Sequence, residues 1–155
     1  VHRLWPGQVV ILAEKAQPAA LWNDGEEWAV LDQLGRKLPD TVPVRYSHLL
    51  IGSGPGGADA APALIEAMQD APDIFTRVSY AARVGDRRWD LHLTTGAKAR
   101  LPGDDALVDA VARREGIEQR TALSTRNVAT IDLRAEGQVV LTPARTTTSI
   151  KGGAA

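Results

Sequence analysis

The chain has 155 residues, of which 44% are hydrophobic and 24% charged, the balance of a globular domain with a real core and not of a disordered chain. Its 18 basic and 19 acidic residues leave a net charge of -1, so no global basic field exists to hold a phosphate backbone, and no apolar run approaches the ~20 residues of a membrane span. Cysteine is absent, which excludes disulfides, thiolate nucleophiles and Cys-based zinc sites.

Charge is unevenly spread. Residues 1–75 carry 5 basic and 10 acidic side chains, whereas 76–155 carry 13 basic and 9 acidic. Fourteen of the eighteen basic residues are Arg, the side chain suited to bidentate pairing with carboxylates. The chain opens at Val1 without a Met or a signal peptide, and is expected to be part of something longer.

In chain order, the Val/Ile/Leu run at 8–14 reads as a strand after the breaker Pro6-Gly7. Segments 19–23 and 28–32 flank Asn23-Asp24-Gly25-Glu26 and read as a hairpin, with Gly25 free to take positive φ. Gly35 supplies the next turn. Strands are expected at 42–45 and 47–51, leading into Gly52, Gly54, Gly56 and Gly57. A helix fits 59–69, with Pro62 in its first turn and Leu64, Ile65 and Met68 on its apolar face. Strands at 74–83 and 89–95 pair through the turn 85–88, placing Trp89, Leu91 and Leu93 on one face and Asp90, His92 and Thr94 on the other. A short strand at 98–101 follows. The second helix is expected to be N-capped by Asp104, with Asp105 in its first turn, Leu107, Val108 and Val111 on one face and Gly116 as the C′ residue. Strands at 128–135 and 138–142 are joined by Glu136-Gly137, and a disordered tail is expected over 143–155. The order of elements defines an α+β fold with a mostly antiparallel β-sheet and two main helices.

Four motifs bear on chemistry. Gly52, Gly54 and Gly57 match the spacing of a dinucleotide (FAD/NAD) fingerprint, but Asp70 and Asp73 precede the following strand where the ribose acid should close it. A flexible connector is the competing reading. Ser53, near His48, lacks the preceding glycine of a nucleophile elbow. Asp90 and His92 share a strand face, yet two ligands without a third make a weak metal site. The pairs Arg87-Arg88 and Arg113-Arg114 are available to acidic partners or to solvent. By contrast, strand 138–142 lacks the Pro or Lys that commonly blunts a sheet edge, and its main chain offers a template for an added strand.

Five segments in order carry a resemblance: Val1-His2-Arg3-Leu4-Trp5-Pro6-Gly7, Pro18-Ala19-Ala20-Leu21-Trp22, Val30-Leu31-Asp32 with Gly35, Arg87-Arg88-Trp89-Asp90-Leu91-His92-Leu93 with Gly96, and Ile131-Asp132-Leu133-Arg134 with Gly137. Together they resemble the FtsQ/DivIB cell-division family of the alphaproteobacterial type. The resemblance implies a non-enzymatic divisome scaffold without cofactor or metal, and the periplasmic domain of a single-pass inner-membrane protein at the division septum. It implies the end of a POTRA domain at 1–17 and the FtsQ β domain at 18–142. Its partners would be FtsB and FtsL, FtsB adding a strand at Arg134, Ala135, Glu136, Gly137, Gln138, Val139 and Val140, with Arg87 pairing an acidic partner residue. Ala135 stands where the family often has Tyr, which removes an expected aromatic anchor.

Overall fold

The computed structural model describes residues 2–4, 8–10, 15–121 and 127–144. Strands β1 (His2–Leu4) and β2 (Gln8–Val10) pair antiparallel in a two-stranded sheet of their own. The remaining strands form one eight-stranded sheet: β3 (Pro18–Asn23), β4 (Trp28–Asp32), β5 (Leu50–Ser53), β6 (Val78–Val84), β7 (Arg88–Leu93), β8 (Lys98–Arg100), β9 (Val128–Asp132) and β10 (Val140–Pro143). Their spatial order is β10-β9-β8-β7-β6-β5-β3-β4. The sheet is mixed: β3/β4, β6/β7, β7/β8 and β9/β10 are antiparallel, and β3/β5, β5/β6 and β8/β9 are parallel. Each parallel step is bridged by intervening structure, as parallel strands require. Helices α1 (Gly57–Gln69) and α2 (Pro72–Phe75) link β5 to β6, and α3 (Leu107–Thr121) links β8 to β9.

Alternation along the strands sorts the two faces. Trp22, Leu50, Ala81, Trp89, Leu91, Ala99 and Ile131 meet Leu64, Ile65 and Met68 of α1 and Leu107, Ala110 and Val111 of α3 in one buried cluster. Leu21 and Val30 point the other way, and the 3-10 turn Pro43–Tyr46 packs over β3 and β4 on that side. Over β6 to β9 the same side remains a polar surface of Tyr80, Asp90, His92, Lys98, Arg100 and Thr130.

The first hairpin forms for the expected reason. The Asn23 side chain accepts from the Gly25 N–H at 2.7 Å, Asp24 accepts from Glu26 at 3.0 Å, and Gly25 takes φ +111°. These bonds from Glu26 and Glu27, with one from Lys37, draw the Asp24 carboxyl down to about 2.

Several boundaries depart from the sequence expectation. Segment 43–46 is a 3-10 turn and not a strand, because Pro43 occupies its first position with φ already set for a helical start. Residues 72–75 form α2, so the strand expected from 74 begins at Val78. Helix α1 starts at Gly57, which puts Pro62 in its second turn and removes a hydrogen bond to the Ala58 carbonyl. Gly35, at φ +74°, comes so close that a Cβ would lie 2.4 Å from that same carbonyl. Gly35→Ala is therefore expected to cost about 2 kcal/mol from left-handed strain and backbone overlap, measured as a lower urea midpoint with an unchanged slope.

Helix α3 also begins differently. Gly103, not Asp104, caps the 3-10 turn Asp104–Ala106 that leads into it. Gly116 lies inside α3 and not beyond its end, and Val108 is 40% exposed while Ala110 takes its place on the buried face. The strands expected to run to 135 and from 138 are shorter, β9 ending at Asp132 and β10 starting at Val140. Residues 11–14 and 145–155, including most of the expected tail, lie outside the described residues.

Candidate partner-binding edge

The two ends of the large sheet are treated differently. At β4 the chain folds back on itself: the Leu38 N–H bonds the Val30 carbonyl at 2.8 Å, the Asp32 N–H bonds the Arg36 carbonyl at 3.0 Å, and Leu31 bridges Lys37. That edge is covered by the protein's own backbone. At the other end β10 pairs, among the described residues, only with β9, and its residues, including Val140 and Leu141, are exposed. The Ala144 N–H points inward to the Asn127 carbonyl at 3.1 Å. By alternation Leu141 and Pro143 turn their nitrogen side outward, the orientation in which an edge proline, lacking N–H, is tolerated.

Of the residues expected to carry the contact, only Val140 lies in the edge strand. Arg134, Ala135, Glu136, Gly137, Gln138 and Val139 form the β9–β10 connection, which turns at Gly137 with φ +69°. Val139 is half-buried and packs on the core, so its side chain faces inward. Leu141 and Thr142 belong to the same edge, and the 138–142 pattern was the signal for them.

Arg87 and Arg134, 47 positions apart, line a single open cleft of about 340 Å³ together with Arg88, Leu101, Pro102 and Gly103. Arg87 is exposed on the β6–β7 turn. Arg134 reaches back to Asp132, its Nη2 donating at 2.6 Å and its backbone N–H at 3.1 Å. This guanidinium holds the Asp132 carboxyl below the usual carboxylate range, and the pairing raises Arg134 in turn. Arg88 leans on Asp90 at 3.7 Å. The cleft thus presents three guanidinium groups across the ends of β7 and β9, with Arg134 nearest to the edge strand β10 and β8 and β9 between that strand and Arg87-Arg88, and two of them are steadied by carboxylates of the sheet.

The other motifs resolve into packing. The Trp22 indole lies against the glycine loop: a Cβ on Gly52 would sit 2.2 Å from Trp22 Cζ3, and one on Gly57 1.9 Å from Trp22 Cζ2. A Cβ on Gly54 would meet the Arg83 carbonyl at 2.7 Å. β5, α1 and β6 do form the parallel unit that a dinucleotide fingerprint requires, but these neighbours fill the room a pyrophosphate needs to approach the backbone. Ser53 ends β5 while His48 precedes it, its ring 6.4 Å from that of Tyr46. His92 stacks on Tyr80 at 4.1 Å, and Asp90 faces Arg88 and Lys98. Among the described residues no three His, Asp or Glu side chains gather closely enough to hold a metal ion. A second cleft, of about 330 Å³, is lined at the far side of the sheet by Leu50, Ile65, Met68 and Phe75 among others, and none of its lining residues is ionisable.

Comparison with known proteins agrees with this architecture. The family model "Cell division protein FtsQ/DivIB, C-terminal" matches residues 20–134. The chain is 37% identical over 136 residues to cell division protein FtsQ of Hirschia baltica, covering 86% of this chain and 46% of that protein. It is 30% identical over 143 residues to FtsQ of Caulobacter vibrioides, covering 92% and 47%. The fold is similar to the major extracytoplasmic domain of the cell division protein DivIB from Geobacillus stearothermophilus, with a TM-score of 0.50, 15% identity, 74% of this chain and all of that one covered. The chain belongs to the FtsQ/DivIB family of cell division proteins, and the FtsQ relatives named here are alphaproteobacterial. It spans about half the length of the FtsQ proteins it matches. Arg87 and Arg134 fall inside the family match, whereas Ala135, Glu136, Gly137, Gln138, Val139 and Val140 lie beyond it.

Proposed function

We propose that this chain is the partner-binding portion of a division scaffold and works by accepting a strand from FtsB, with FtsL alongside, at the free edge of β10. The observation that carries the reading is the asymmetry of the sheet among the described residues: β4 is covered by the segment at 36–38, and β10 has no neighbour beyond β9. Uncovered edges invite pairing; Pro143 and the bulge beside it blunt the far end of β10, and the Leu141 N–H remains as its outward donor. Main-chain hydrogen bonds would supply attachment. Arg87, Arg88 and Arg134 would select acidic residues on the added strand through charge-assisted, bidentate bonds. Exposed Val140 and Leu141 would replace part of the aromatic anchor that Ala135 does not provide.

On this reading residues 1–17 close a POTRA domain and 18–142 form the β domain, in the periplasmic part of a single-pass inner-membrane protein at the septum. No helix among the described residues is long and apolar enough to cross a membrane. Binding and not catalysis is the proposed activity.

Titrating the 155-residue chain with the periplasmic segment of its cognate FtsB should shift amide resonances over 128–144 and the side-chain Nε–Hε signals of Arg87 and Arg134. Leu141→Pro removes an outward donor without breaking the ladder to β9 and should weaken binding at least about tenfold, with little change in thermal midpoint. Undiminished affinity in a folded Leu141→Pro variant would place the contact elsewhere.

A further inference from the structure

One wall of the arginine cleft is the β6–β7 turn that bears Arg87 and Arg88, and the other is formed by residues 101–103 and Arg134. The turn takes an unusual shape, with Gly85 at φ +60° and the non-glycine Asp86 at φ +52°. At its base the walls are joined by a backbone bond, from the Leu101 N–H to the Trp89 carbonyl at 2.8 Å, next to Arg88. A buried cation fastens the turn. Arg83, its side chain only 5% exposed, points to the helix side of the sheet next to the turn. Its guanidinium grips Asp104 at 2.5 and 2.7 Å and donates to the Asp86 carbonyl at 3.0 Å. It also lies 5.0 Å over the Trp89 ring, whose Nε1 donates to Asp104 at 3.2 Å. Asp104 directly follows Gly103, where a Cβ would come 3.3 Å from the Arg87 carbonyl. One ion pair therefore ties the turn carrying two cleft arginines to the loop forming the facing wall.

We infer that Arg83 and Asp104 are positioning residues for partner recognition, setting how far the Arg87-Arg88 turn stands from Arg134 and so which spacing of carboxylates on an added strand the cleft accepts. Neither faces the partner: Arg83 is buried on the opposite side of the sheet from Asp90, and the Asp104 carboxylate is spent on Arg83 and Trp89. This rests on the strand-addition reading, and it explains why an Asp that begins a helical segment leaves the helix N–H groups to Gly103 and points at a strand. A cap is the ordinary use of such an Asp. Here the buried guanidinium outcompetes it, because an unpaired cation at this depth costs more than a missing cap.

The test compares wild type with the double variant Arg83→Met/Asp104→Asn, which removes both charges together and so leaves no buried orphan. Two extended acidic peptides serve as probes, identical except that Glu is replaced by Gln at the position facing the cleft. In wild type the Glu peptide should bind about tenfold tighter than the Gln peptide, as expected for a charge-assisted pair. In the double variant that preference should fall below about threefold, while the affinity for the Gln peptide, held by main-chain bonds, changes less than about twofold. Hydrogen exchange of the amides at 85–88 should quicken at the same time, with the β9 amides unaffected. A folded double variant that keeps both the Glu preference and slow exchange at 85–88 overturns the inference. If wild type binds neither peptide, strand addition itself fails, and the exchange comparison still decides whether the pair fixes the turn. Should the double variant be too unstable to titrate, Arg83→Lys keeps the charge but loses the two-pronged grip. It should show the same loss of preference, and full retention there counts equally against the inference.

Discussion

Trp22→Ala is expected to lower the unfolding free energy by about 3–5 kcal/mol, the range for truncating a large buried aromatic, and to lower the thermal midpoint of a chain of this size by roughly 10 °C or more. Trp22 is 2% exposed and stands edge-on to Trp89, with ring centroids 5.6 Å apart and planes at 86°. Three parts of the fold converge on it: β3 from which it projects, Gly52 of β5, and Gly57 at the start of α1. Because both glycines are already in contact with the ring, neither can supply atoms to fill the space it leaves, and the cavity term adds in full. Its Nε1 has no hydrogen-bond partner among the described residues, so Trp22→Phe loses a polar atom that was costing stability and should be far milder than Trp22→Ala. Urea unfolding of the three proteins checks the order, and the loss of the Trp–Trp signal in near-ultraviolet circular dichroism checks the geometry. An Ala variant as stable as the Phe variant would mean that the glycine loop collapses to heal the void.

The same indole marks the limit of what the sequence discloses. Periodicity places Leu64, Ile65 and Met68 on one face of α1, and Trp89, Leu91 and Leu93 on one face of β7, because burial of a face requires that spacing whatever lies opposite. Turns at Gly25 and Gly35 are equally local, since positive φ is a property of the residue itself. The glycine loop is different. Its spacing fits a phosphate cradle and a ring-packing surface alike, and only the β3–β5 register, which sets Trp22 beside Gly52, decides between them. Asp104 fails for a related reason: its position predicts a cap, and the partner that outcompetes the cap is 21 residues away on β6. Arg87 and Arg134 were reached through family resemblance, but no spacing in the chain shows that they share a cleft. That depends on β8 lying between β7 and β9, a parallel pairing across α3 that local pattern does not encode. Strand 138–142 is legible as an edge through its lack of Pro or Lys, but the shift of β10 to Val140–Pro143, which brings a proline into the edge, is not.

Asp104→Asn as a single change should be nearly as damaging as the loss of Trp22, because it strands the Arg83 cation among Trp89 and the turn. Breaking a buried pair from one side costs about 3–5 kcal/mol, and the 40% exposure of the Asp104 side chain brings the expectation to about 2–3. The pair also carries a pH signature of definite sign. Arg83 holds the Asp104 carboxyl below its ordinary value, so the folded state binds the proton less readily than the unfolded chain does. The stabilisation is complete above the unfolded carboxyl value near 4 and is lost as pH falls through the lower folded value. Wild type should therefore lose stability as pH falls below about 4, and Asp104→Asn, with nothing to protonate there, should lose distinctly less over the same fall. The slope will not vanish, since Asp24 and Asp132 are depressed in the same direction. Urea midpoints at pH 7, 4 and 2.5 separate the cases. Parallel curves for the two proteins would show that the Arg83–Asp104 pair contributes nothing to folding. Adding Arg83→Met to Asp104→Asn should recover most of the stability lost at pH 7, because what destabilises the single variant is the unpaired cation and not the missing carboxylate.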